Sequence, residues 1–336
     1  MNLIGEVREL NDKSIEVDSF IDIESNFKQI KSIYMIKRDS YKEGIANLVL
    51  SEGCRRVGNY NGSKEYLNNA LFIFKNMKNN NGLSWYHLDA ANTYRANGEY
   101  KKSFDELVVS RSYCVKSKNF LVYGHVLSGI AENNRIIGNY FISMKQHLAA
   151  LHFFKNFNDI KGIIWALEGI GQIYRIFGRY KRALYYFKSA LELSRISHDV
   201  KGMAYAFKCI GEIQSVLGEG HLSVLNFANA NQAFTSIGYK IGVGFTLKAI
   251  SDHYLRTFDF SNSYEYCISS IKIFEKYNYL RGYYFSILSL SNIYLLSNNI
   301  NRALELAYMA YEFFYQNNIR LGRSIALRII RRVSYA

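Results

Sequence analysis

Apolar and polar positions follow a helical rhythm along most of this chain. Between Gly169 and Leu193 the run GIGQIYRIFGRYKRALYYFKSALEL spaces its apolar residues three and four apart on either side of Gly178. That spacing predicts two amphipathic helices, roughly 163–177 and 180–196. The break between them recurs: Gly58, Gly98, Gly138, Gly178 and Gly218, then Phe258 and Asn298, stand 40 residues apart. Five residues after each come Ser63, Ser103, Ser143, Ala183, Ser223, Ser263 and Ala303, all small. Twelve after it stand Ala70, Ser110, Ala150, Ala190, Ala230, Ser270 and Ala310, small again.

Each column has a physical reason. A glycine just past a helix ends it in the left-handed conformation without a Cβ penalty. Asn298 is the next best residue there, whereas Phe258 is not, so the sixth repeat is expected to turn differently, through Asp259. The small columns let two helices approach closely. A second glycine column, Gly44, Gly82, Gly124, Gly162, Gly202, Gly242, Gly282 and Gly322, predicts the other loop. Its uneven early spacing predicts early loops that differ in length by two residues.

The repeat is therefore a helix pair, and its Gly171, Tyr174, Gly178, Tyr180, Ala183 and Ala190 resemble the tetratricopeptide repeat. The resemblance covers residues 44–322. The 40-residue period and the charged-Gly loop are most similar to spindle-orientation adaptors of the GoLoco class and to Rap-type peptide-sensing regulators. It implies an all-α, right-handed superhelical solenoid of about seven helix-turn-helix repeats, with the first helices lining the concave surface. The expected organisation is an unassigned segment 1–21, a capping helix 22–40, seven repeats over 41–319 and a basic capping helix 320–336.

Composition agrees with a helical chain. Proline is absent, and 49% of the residues are hydrophobic. The apolar runs are short and interrupted by charges, so no membrane span is expected, and the start MNLIGEVREL lacks the pattern of a secretory leader. A cytoplasmic location follows as an expectation. Cys54, Cys114, Cys209 and Cys267 have no metal-ligand spacing and fall at core positions of the repeat. The net charge is +14, and because residues 1–40 carry a small acidic excess, the repeats are more basic still. That favours an acidic partner.

Reading the first helices by their register gives the concave columns. One is Ile45, Trp85, His125, Trp165, Tyr205, Phe245 and Phe285. Another, polar throughout, is Glu52, Asn92, Glu132, Gln172, Glu212, Asp252 and Asn292. A third begins as a ladder, Arg55, Arg95, Arg135 and Arg175, and a fourth contains Glu168, Lys208 and Lys248. Guanidinium forks bind carboxylates, amides satisfy a peptide backbone and aromatic rings take apolar anchors. The columns therefore predict a groove for a peptide or helical segment with acidic and apolar residues. The ladder has a second reading, an internal network, because an acid or amide precedes each arginine by three residues.

The function expected is thus a protein-interaction module or adaptor. The alternative is a peptide-responsive regulator whose superhelix changes shape on binding a short signalling peptide. A nucleic-acid binder is a less favoured reading, since no recognition module is present. An enzyme is not expected: no zinc spacing, phosphate loop or nucleophile elbow occurs, although Glu132, Glu168 and His125 could meet in the groove. No cofactor or metal is implied. Rap-type regulators act on a response-regulator phosphoryl group through an N-terminal three-helix bundle, and with some 40 residues ahead of the repeats that activity is not expected here.

Overall fold

The computed structural model describes residues 40–334. The segment 1–21 and almost all of the expected capping helix 22–40 lie outside the described residues. Among the described residues fifteen helices follow one another: α1 (Ser40–Arg56), α2 (Tyr60–Asn76), α3 (Asn80–Ala96), α4 (Tyr100–Ser117), α5 (Phe120–Ile137), α6 (Tyr140–Asn156), α7 (Ile160–Ile176), α8 (Tyr180–Ile196), α9 (Val200–Leu217), α10 (Gly220–Ser236), α11 (Lys240–Arg256), α12 (Phe260–Lys276), α13 (Leu280–Leu296), α14 (Ile300–Gln316) and α15 (Arg320–Ser334). Each odd-numbered helix packs on the even-numbered one after it, and the odd-numbered helices also touch one another in order. They form the inner wall of an all-α superhelical solenoid, with the even-numbered helices outside.

The true unit of the backbone is 20 residues, half the period of the sequence columns. A left-handed residue falls at Gly58, Lys78, Gly98, Lys118 and onward every 20 positions to Asn318. At each, the next N–H bonds to the carbonyl five residues back, as in Asp159 N to Phe154 O at 2.8 Å and Asp199 N to Ser194 O at 2.8 Å. This is the Schellman closure of a helix end. Two expectations are corrected by it. Phe258 does not turn differently: its φ is +60°, and Asp259 N reaches Tyr254 O at 3.0 Å like every other closure. The early loops do not differ in length either, because the helices start every 20 residues throughout.

The second glycine column marks no loop; its members lie within the odd-numbered helices, most of them in the first turn. A Cβ on Gly162 would stand 2.4 Å from Phe154, and one on Gly82 would stand 2.2 Å from Phe74. Gly242, Gly282 and Gly322 meet Phe234, Phe274 and Phe314 in the same way. These phenylalanines are fully buried, and each such burial contributes roughly 1.5–3 kcal/mol. Gly44 and Gly124 sit two positions later in their helices, against Phe74 and Phe154, and so shift the column without shifting the loop. Helix α7 begins three residues earlier than its apolar pattern suggests, while α8 spans the expected 180–196. Asp159 explains this for α7, since its carboxylate accepts from Gly162 N at 3.0 Å as an N-cap.

Both small columns are buried throughout, from Ser63 and Ala70 to Ala303 and Ala310. Their serines add cross-helix bonds: Ser143 Oγ donates to Ala131 O at 2.8 Å and Ser223 Oγ to Gly211 O at 3.0 Å. All four cysteines are buried.

The solenoid winds far enough for its turns to meet. The loop at Gly58 lies against Tyr277, where a Cβ would come within 2.0 Å of the Tyr277 carbonyl oxygen. Helix α15 packs on α13 and α14 and also reaches α5 across the turn. Arg320 there crowds Gly138, and Ile136 joins the apolar cluster that holds Ile319 and Ile329. The concave face is therefore a lumen with walls on more than one side.

Candidate peptide groove

The lumen is lined by α3, α5, α7, α9, α11 and α13, and their register aims the sequence-derived columns inward. The arginine ladder is largely engaged with neighbouring acids and amides. Arg135 binds Glu132 at 2.6 Å and Arg175 binds the Gln172 amide oxygen at 2.8 Å. Two contacts cross between repeats, Arg55 to Asp89 at 3.9 Å and Arg175 to Glu212 at 3.3 Å. Lys208 and Lys248 continue the pattern with Glu212 at 3.0 Å and Asp252 at 2.8 Å. Burial alone would raise the Glu212 carboxyl, but Arg175 and Lys208 outweigh it and hold it at about 2.

The aromatic column makes ring-to-ring contact along its first members. Trp85, His125 and Trp165 follow one another with ring centroids 6.1 and 6.3 Å apart, and His125 Nε2 lies 2.9 Å from the Asp159 carboxylate. Tyr205 extends the wall and donates to the Tyr239 hydroxyl at 3.2 Å. Phe245 then packs edge-on to Tyr279.

Arg95 and Glu168 are among the lumen groups with a buried polar atom that has no hydrogen-bond partner. Arg95 spends Nη2 on Asn92 Oδ1 at 2.7 Å, while its buried Nη1 has no hydrogen-bond partner. Burial lowers this guanidinium to about 10, with Glu132 opposing. Glu168 has a buried Oε1 with no hydrogen-bond partner, and burial, aided by Asp199, pushes its carboxyl well up against the pull of Lys201 and Lys208. A buried charge left uncompensated is costly.

Several lumen groups are absent from the sequence columns. Asp89, buried beside Arg55, lies one turn ahead of the Asn92 column, and burial raises its carboxyl to about 6 despite the guanidinium. Lys201, Tyr239, Tyr279 and Arg281 come from helix starts; Arg281 donates to the Tyr279 hydroxyl at 2.8 Å. Only the shared 20-residue phase of the loops could have pointed to them. A cavity of about 450 Å³ opens where α11, α13 and α15 converge, and it includes Lys248 and Asp252 from the columns together with Arg256, Phe258 and Arg328.

With this geometry in place, three solved structures are similar over most of the chain. A Rap protein complexed with competence and sporulation factor aligns at TM-score 0.63 and 14% identity, over 98% of this chain and 97% of that one. The fold is the tetratricopeptide-like helical repeat that these structures share. The Rap conjugation gene regulator of the plasmid pLS20, in complex with the Phr* peptide, aligns at TM-score 0.68 and 14% identity over 84% of this chain and 76% of that one. NprR in complex with its cognate peptide NprX aligns at TM-score 0.63 and 13% identity over 98% of both. No protein-family model matches the chain, and no curated protein matches its sequence. Among the described residues, no helix is long and apolar enough to cross a membrane.

Proposed function

We propose that this protein is a peptide-binding interaction module, a regulator or adaptor of the cytoplasm, that takes a peptide with apolar and charged residues into its lumen. The observation that carries the reading is the pair of buried polar atoms without hydrogen-bond partners, Arg95 Nη1 and Glu168 Oε1, in the lumen that Trp85, His125, Trp165 and Tyr205 also line. A bound acidic group would pair with Arg95, and a bound cation or hydrogen-bond donor with Glu168. Rings of the wall would take apolar side chains. The similar structures support the reading because three of them, by description, hold a peptide or a signalling factor. The walls on both sides favour a short ligand over a bulky folded segment, and so favour the peptide-responsive form of the function. Chemistry is no part of this reading, nor is nucleic acid.

The test is affinity selection. A random synthetic heptapeptide pool passed over immobilised protein should leave a reproducible, enriched set. Arg95→Gln and Glu168→Gln should each lower retention of that set about tenfold, as loss of a charged hydrogen bond does. Melting temperatures should stay within about 4 °C, since neither variant removes an ion pair from the fold. Equal retention by both variants would place binding outside the lumen.

A further inference from the structure

One edge of the outer wall carries side chains that serve neither the core nor the lumen. Phe141, the second residue of α6, is 80% exposed, and Ile142 beside it is half-exposed. Phe177, just past the end of α7, is exposed too, and its ring centroid lies 5.8 Å from that of Phe141. Tyr140 packs edge-on against the same Phe177 ring. Single exposed apolar residues are ordinary, but these form one contiguous knob, and such a patch marks an interaction site.

The charge around the knob is of one sign. Between Asn139 and Asn158, and again between Phe177 and Leu191, the chain has no Asp or Glu. It has Lys145, Lys155, Arg179, Lys181, Arg182 and Lys188 there, all exposed. Arg182 lies over the Tyr174 ring, and among the described residues none of the six makes an ion pair. Outer helices farther along are balanced instead. Helix α12 exposes Lys272 and Lys276 against Glu265 and Glu275, and α14 exposes Arg302 against Glu305 and Glu312. The cationic excess follows the knob rather than the whole outer face.

This combination selects the occupant. A second copy offering the same patch would set like charges against like, which is costly at an interface. Nucleic acid would satisfy the lysines but leave Ile142 in water. Specific protein interfaces are depleted in Lys, and four of these six cations are Lys. An anionic lipid surface meets both demands at once. Its headgroup phosphates draw Lys and Arg, and the boundary of its acyl chains takes Phe and Ile. The two rings also sit at helix ends, apart from the columns that line the lumen, so such contact leaves the groove free.

We propose that the Phe141–Phe177 edge is a peripheral binding site for an anionic phospholipid surface. Phe141, Ile142 and Phe177 enter the boundary between headgroups and acyl chains, while Lys145, Arg179, Lys181 and Arg182 lie on the headgroup phosphates. The proposal goes beyond the peptide-binding reading and does not depend on it.

Full-length protein is sedimented with vesicles of phosphatidylcholine alone, and with vesicles of phosphatidylcholine and phosphatidylglycerol in equal parts. Partition onto the mixed vesicles should exceed that onto the neutral ones about tenfold or more, since each cation held near an anionic surface contributes about fivefold. Lys145→Glu with Lys181→Glu should reduce that partition about tenfold or more by the same arithmetic. Arg331→Glu with Arg332→Glu, on the basic α15, should cost far less. Phe141→Ser should weaken binding with the melting temperature unchanged, because the ring is exposed. Phe141→Trp should keep the affinity and be quenched by brominated acyl chains, against the wild-type baseline of Trp85 and Trp165. Equal partition onto the two kinds of vesicle overturns the proposal. Anionic binding that survives Phe141→Ser, or that leaves Phe141→Trp unquenched, also overturns it, since charge alone would then hold the protein at the surface. An equal loss from the α15 pair does the same. A dimer in light scattering that Phe141→Ser dissolves would assign the knob to a second copy instead.

Discussion

Glycines of two kinds hold this protein together, and their costs of substitution differ in origin. Gly162 is helical, and its missing Cβ leaves room for Phe154, 2.4 Å from where that atom would be. Gly178 is left-handed at φ +69° with open space around it. Gly162→Ala is expected to destabilise by about 1–3 kcal/mol through overpacking, and Gly178→Ala by about 1–2 kcal/mol through strain. Chemical denaturation separates the two causes: Phe154→Leu should rescue part of the first loss, and an unrescued Gly162→Ala would show that the ring is not what the glycine accommodates. Asp89 makes a pH prediction. Burial raises its folded carboxyl to about 6 against the pull of Arg55, whereas the unfolded group titrates near 3.9. Between those values the native state binds the extra proton, so this group's contribution to stability falls as pH rises from about 4 to 6. Asp89→Asn should lack that slope and be the more stable protein at pH 7, by on the order of 2–3 kcal/mol, with the difference shrinking below pH 4. Glu212, held at about 2 by Arg175 and Lys208 after its burial cost, works in the opposite sense. Its contribution is present above about pH 4 and is lost as pH falls towards 2. Parallel pH profiles of melting temperature for Asp89→Asn and wild type would refute the assignment.

At the scale of the helices, the repeat was legible from small residues but its rhythm was not. Ser63, Ala70 and their equivalents recur at 40 because only same-type helices need the same side chain at a contact. The backbone closes every 20 residues, and half of those closures use Lys78, Lys118, Asn158, His198, Asn278 and Asn318 with Gly238, a set with no single residue type to read. Column reasoning over-weighted glycine accordingly: it took Gly82 and Gly162 for loop markers, when their role is to make room for a phenylalanine from the preceding helix. The inward columns were legible because α3 to α13 keep one register; the groups at helix starts, such as Lys201 and Tyr239, were not, because the winding of the whole solenoid carries them to the lumen. Phe258 shows the same limit, since propensity argues against the conformation it adopts. Its exposed ring packs little, so Phe258→Gly is expected to stabilise α11 and α12 by about 1 kcal/mol. A variant that melts lower than wild type would mean that the ring supports the fold.

Across the whole molecule, the decisive contact is where the turns of the solenoid meet. Charges on α9 and α1 also act on one another. Burial and the guanidinium of Arg56 lower the Lys201 ammonium to about 8, and Glu52 is the carboxylate that offsets them. Where the turns meet, the backbone at Gly58 packs closely on Tyr277. Gly58 and Gly178 make a matched pair for testing it. Both are left-handed, at φ +74° and +69°, and a valine at either suffers the same local strain of roughly 1–2 kcal/mol. At Gly178 its side chain enters open space, whereas at Gly58 a Cβ would stand 2.0 Å from the Tyr277 carbonyl oxygen. Gly58→Val should therefore prise the turns apart and enlarge the radius of gyration measured by small-angle X-ray scattering, and Gly178→Val should leave it unchanged. Because the lumen walls come from both turns, Gly58→Val should also release a bound peptide more readily than Gly178→Val does. Equal radii for the two variants would mean that the turns are held elsewhere, with the α5–α15 bridge as the remaining contact that could hold them.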